Sequence, residues 1–135
     1  MLASGAVDAA QALADLTEIS SQIEAAVLFD ETGTVQGSTL ANGASAQALA
    51  QAGAQLLEQA GGLRSDPGEV TQLEAATVGG SVFVVRDGEQ RIAATTGPAP
   101  TVGLVFYDLK SCLRGAATAP PKPKRTRRKK TDDEA

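Results

Sequence analysis

A chain of 135 residues, 42% hydrophobic but only 3% aromatic, has room for one folded unit whose core is packed mainly from Ala, Val, Leu and Ile. Its net charge of −4 conceals a division: residues 1–119 carry five Lys/Arg against thirteen Asp/Glu, whereas residues 120–135 carry seven against three. No apolar run approaches the roughly 18 residues of a membrane-spanning helix, Met1–Ala6 lacks the basic region of a signal peptide, and the single cysteine, Cys112, has no internal partner. A cytoplasmic location is the expectation.

From Asp8 to about Ser21, Val7, Leu13, Leu16, Ile19 and Ile23 recur at mostly helical spacing and predict a first helix, preceded by a flexible segment 1–7. The run Ala25–Phe29 predicts a strand apolar on both faces, hence central, and Asp30-Glu31-Thr32-Gly33 turns it into a second strand over Thr34–Thr39. Asn42 or Ser45 can cap a second helix that stops at Gly61-Gly62. Its stripe is Leu49, Ala52, Gly53, Leu56, Leu57 and Ala60; a second row, Ala46, Ala50 and Ala54, is small and apolar, and Gln47, Gln51, Gln55 and Gln59 form a neutral polar row. Such rows suit a partner at close range, or equally a solvent face made of good helix formers.

Three strands are predicted next, Glu69–Thr77, Ser81–Arg86 and Glu89–Thr96, punctuated by Gly79-Gly80 and Asp87-Gly88. Thr101 can then cap a last helix with the stripe Val102, Val105, Phe106, Leu109 and Leu113, closed by Gly115. The order is α-β-β-α-β-β-β-α, an α+β pattern occupying residues 8–117.

Little in this chain can do chemistry. It has no His, so the Ser-His-Asp and Cys-His nucleophile pairs and the common transition-metal sites are unavailable. Neither phosphate-binding glycine motif occurs. Asp30, Glu31, Asp87 and Glu89 fall at turns, where solvated roles are the rule, and Cys112 lies beside an apolar stripe, as a buried thiol does. No catalytic residue, cofactor or metal site is assigned, and the chain reads as a non-enzyme.

Residues 118–135 predict a disordered basic tail. The cations Lys122, Lys124, Arg125, Arg127, Arg128, Lys129 and Lys130 cluster there with no aromatic among them. Such a cluster can bind nucleic acid or another anionic surface weakly and without sequence preference; it can also serve only as a solubilising extension, or fold back onto the acidic body.

Two segments, Ala26-Val27-Leu28-Phe29-Asp30-Glu31-Thr32-Gly33 and Gly103-Leu104-Val105-Phe106-Tyr107-Asp108-Leu109, taken with the element order, resemble the roadblock family, which includes a dynein light chain and bacterial partners of Ras-like GTPases. The resemblance covers residues 8–117. It implies a five-stranded antiparallel sheet with helix 2 on one face and helices 1 and 3 on the other. It also implies a homodimer formed by helix 2 and the strand after it, which assigns Ala46, Ala50, Ala54, Val70, Gln72 and Glu74 to the interface. The function so implied is a non-catalytic adaptor or regulator binding a small Ras-like GTPase or a related signalling subunit. The competing expectation is a dimeric polyanion-binding module working through the tail. A pocketed small-molecule sensor finds little support in so few aromatics.

Overall fold

A computed structural model describes the backbone over residues 2–63 and 70–117 and the side chains over 9–63 and 70–116. The elements are α1 (Leu2–Ile19), β1 (Ile23–Asp30), β2 (Val35–Ser38), α2 (Gly43–Gly61), β3 (Gln72–Thr77), β4 (Gly80–Asp87), β5 (Gln90–Thr96) and α3 (Val102–Ala117), in the order read from the sequence. Residues 2–7, expected to precede the first helix as a flexible segment, continue it, since Leu2, Ala3 and Ala6 are strong helix formers. Gly115 does not end α3, which runs two residues further through Ala116 and Ala117.

The strands form one antiparallel sheet in the order β2-β1-β5-β4-β3. Its middle is β1 against β5, and the residues of β1 from Ala25 to Phe29 are all buried. Alternation of side chains along a strand divides them between two layers. Ala26 and Leu28 join Leu13, Leu16, Phe83, Ile92, Val105, Leu109 and Leu113 beneath α1 and α3. Val27 and Phe29 join Ala46, Ala50, Leu57, Val84 and Ala93 beneath α2. The sheet therefore has α2 on one face and α1 and α3 on the other, which is why β1 lacks a polar side. Phe83 is wholly buried, is worth about 1.5–3 kcal/mol in transfer free energy, and meets Phe106 of α3 edge to face at 5.0 Å between centroids.

Local chemistry sets the connections. The Asp30 carboxylate accepts from the Thr32 and Thr34 amides at 2.9 and 3.0 Å and from the Thr32 hydroxyl at 2.6 Å, closing the first hairpin. Between Asp87 and Gln90, Gly88 at φ +64° supplies the positive φ that a two-residue hairpin with glycine first requires. Of the two candidate caps for α2, Asn42 is the one used, its side-chain oxygen accepting from the Ala44 and Ser45 amides at 2.7 and 3.2 Å. No helix among the described residues is long and apolar enough to cross a membrane.

Candidate interaction surface

Among the described residues no group of three His, Cys, Asp or Glu side chains is placed to hold a metal ion. Cys112 donates its thiol to the Ala12 carbonyl at 3.5 Å. Burial, aided by the negative Asp15, pushes this thiol up to about 12, so a thiolate nucleophile is not available near neutral pH. Asp30 is held below the ordinary carboxylate value, chiefly by the Thr32 hydroxyl hydrogen bond, in keeping with its part in the turn. What remains to be explained is surface.

The helix α2 turns a different side inward from the one its leucines select. Its buried residues are Ala46, Ala50, Gly53 and Leu57, a stripe rotated by roughly 60° about the axis from the predicted one. Ala46 and Ala50 thus belong to the protomer's own core, at 4% and 0% exposure, and cannot meet a partner; Ala54 is half-buried beside them. The physical reason is the bulk of the sheet below. A Cβ on Gly53 would come within 3.0 Å of the Ala93 Cβ and 3.3 Å of the Phe29 ring, so only small side chains fit between the helix centre and β1 and β5.

The outward side of α2 nevertheless keeps the same character. Gln47, Gln51, Gln55 and Gln59 are exposed, as are Ala44, Ala48 and Ala52, and Glu58 is the only charged residue of the helix. A second small row, four residues apart, therefore lies on the free surface next to the neutral glutamines. Leu49 and Leu56, on the flank of this face, are only half covered.

The strand β3 lies at the rim of the sheet, bonded to β4 alone among the described residues. The Arg86 amide donates to the Thr71 carbonyl at 2.8 Å. In the unbroken antiparallel register that follows, Leu73, Ala75 and Thr77 share that bonded phase, so Gln72, Glu74 and Ala76 turn their backbone N–H and C=O groups to the open edge. Gln72 and Glu74 are thus where a pairing strand would bond, although the Glu74 carboxylate is itself engaged by the Ser81 hydroxyl at 2.8 Å. Val70 is half-buried, packed with Leu73 against the α2-side core. The α2 face and the open edge adjoin.

Sequence reasoning passed over one residue, Asp108. It is 6% exposed, on the inner side of α3 between Val105 and Cys112. A carboxylate three residues from a core valine and four from a core cysteine was the available signal. The cations at 122, 124, 125 and 127–130 lie outside the described residues.

No protein-family model and no curated protein matches the sequence. Solved structures do. A Roadblock/LC7 domain from Streptomyces avermitilis superposes with a TM-score of 0.69 at 19% identity, covering 77% of this chain and 90% of that one. MglB of Myxococcus xanthus gives 0.63 at 15% identity over 84% of each chain. The gliding protein MglB of Thermus thermophilus gives 0.69 at 15% identity, over 86% of this chain and 93% of that one. With helix 2 alone on one face of a β2-β1-β5-β4-β3 sheet and both other helices on the opposite face, this chain is a domain of the roadblock fold.

Proposed function

We propose that the domain is a homodimeric, non-catalytic adaptor or regulator that binds a small Ras-like GTPase or a related signalling subunit in the cytoplasm. The observation that carries the reading is the open edge of β3 lying beside a nearly uncharged α2 face. An unprotected edge strand is a template for another strand, and a two-fold pairing of β3 with its mate would bring the Ala44/Ala48/Ala52 rows of two copies together in one self-complementary patch. The likeness to two MglB structures supports a regulator of the roadblock type. An acidic body would steer a partner with a basic surface. Sedimentation at tens of micromolar, followed by capture of GTPases from lysate scored with GDP and with a GTP analogue, tests the reading. A monomer that retains no GTPase in either nucleotide state would refute it.

The second reading, a polyanion-binding module, rests on the density of cations from Lys122 to Lys130. Two tails on one dimer would gain avidity. If deletion of residues 120–135 leaves low-salt binding to DNA or anionic vesicles unchanged, the tail has no such part.

A further inference from the structure

The strand β3 carries a single charge, on Glu74, in the middle of an element whose outer edge is open. A charged residue on an edge strand ordinarily discourages pairing with another chain. Glu74 stands opposite Phe83 of β4, whose ring belongs to the core beneath α1 and α3, so Gln72, Glu74 and Ala76 project on that face of the sheet, away from α2. The carboxylate does not hang over the open edge. It accepts a 2.8 Å hydrogen bond from the hydroxyl of Ser81, which lies diagonally across on β4, opposite Ala76, and is only 4% exposed. The bond draws the charge inward, over β4.

Symmetry decides what that charge would otherwise meet. When β3 pairs antiparallel with a second copy about a two-fold axis, the residues whose N–H and C=O groups face outward must oppose one another. These are Gln72, Glu74 and Ala76. Placing the axis at Glu74 engages all three in both copies, with Gln72 opposite the partner's Ala76, whereas moving it one residue either way leaves one of them opposite a residue beyond the strand. Glu74 then faces its own mate, with Cα atoms about 5.5 Å apart and both side chains on the same face. Two carboxylates extended toward each other there repel. Tied to Ser81, each lies on the inner side of its own β3, and the two anchoring hydroxyls are separated by three interstrand spacings, roughly 14 Å or more. That exceeds the Debye length of about 8 Å at physiological salt.

We propose that Ser81 is the positioning residue of a self-pairing edge: by tying the Glu74 carboxylate to β4 it removes the one charge of β3 that would oppose a second copy of this chain across the two-fold axis. The proposal rests on the homodimer reading and names, within it, the register of the pairing and the residue pair that controls its affinity. Breaking the Ser81–Glu74 bond weakens the dimer without touching α2.

The test is sedimentation equilibrium of the full chain at about 50 and about 500 mM salt, for the natural sequence, Ser81→Ala, Glu74→Gln and the double variant, with urea unfolding to confirm that each is folded. Glu74 is exposed, so removing the Ser81 hydroxyl leaves its carboxylate to water. We expect the natural and Glu74→Gln proteins to dimerise within about twofold of each other at low salt, Ser81→Ala to be weakened about two- to fivefold, and added salt to recover most of that loss. The double variant should return to the affinity of Glu74→Gln, because without the carboxylate the hydroxyl has nothing to hold. A Ser81→Ala dimer of natural affinity would overturn the proposal, and so would a double variant as weak as Ser81→Ala, which would make the serine merely structural. Should Ser81→Ala not fold, the other pair decides: a Glu74→Gln dimer several-fold tighter than the natural one means that the carboxylates face each other and that Ser81 does not keep them apart. A natural chain that is monomeric at tens of micromolar refutes the homodimer reading and this proposal with it, whereas a dimer indifferent to Ser81 refutes the proposal alone.

Discussion

Gly53 of α2 sits directly over Ala93 of β5, so close that a Cβ on the glycine would lie 3.0 Å from the alanine methyl. This approach sets the distance between helix and sheet, and it explains why the inner side of α2 is made of Ala46, Ala50 and Gly53 with Leu57, while Leu49 and Leu56 stay on the flank. Gly53→Leu should therefore overpack the layer and cost about 1–3 kcal/mol in urea unfolding. Gly53→Ala should cost less, because a helix-propensity gain of up to about 1 kcal/mol opposes the tight contact. A fully stable Gly53→Leu protein would show that α2 can lift off the sheet freely.

The two sides of α2 should respond oppositely to charge. Ala50→Arg places an unpaired guanidinium in the core and should cost more than about 3 kcal/mol, enough to unfold a marginal domain. Ala52→Arg points outward and should change the stability of the isolated protomer by no more than about 0.5 kcal/mol. If α2 contributes to a dimer, sedimentation of Ala52→Arg should show halved mass; a dimer of unaltered affinity would remove α2 from the interface.

Adjacent residues of β3 provide a similar contrast. Ala75 bonds inward to β4 and Ala76 faces the open edge. Proline at 75 removes a ladder hydrogen bond and should lower the melting temperature markedly, whereas proline at 76 removes only an outward N–H. The Ala76→Pro protein should fold and fail to self-associate. Light scattering with a thermal melt on both variants decides this, and an associating Ala76→Pro protein would count against strand pairing.

Cys112 should be silent toward a thiol reagent in the native state at pH 8 and react fully in denaturant. Its folded value of about 12 lies above the ordinary 9.0, so the folded state retains a proton that the unfolded chain releases. Its contribution to stability is complete below about pH 9 and is lost progressively as pH rises from there toward 12. Asp30, lowered in the fold, acts in the opposite sense: its contribution is present above the ordinary carboxylate value and fades as the solution is acidified below it. Urea midpoints measured from pH 3 to pH 11, with Cys112→Ala and Asp30→Asn as controls, separate the two effects.

How far the sequence could be read depended on the range of the interactions involved. Helix periodicity, the Asn42 cap, the Asp30 and Gly88 turns and the doubly apolar β1 are matters of neighbouring residues, and they yield the eight elements in order. The roadblock resemblance, carried by the segments at 26–33 and 103–109, extended that order to the correct layers. The burial of Cys112 followed from its place beside the stripe of α3.

The inner side of α2 could not be read in this way, because leucines mark a helix as amphipathic without saying how closely a sheet will let it approach. That distance depends on Phe29 and Ala93, residues remote in sequence from Gly53. Strand order, too, is a property of the assembled sheet: only there does β3 become a rim with Gln72, Glu74 and Ala76 facing outward. Asp108 shows the same division. Its type and position were visible in the chain, but its 6% exposure arises only when α1 closes against α3, since burial is set by what surrounds a residue in space.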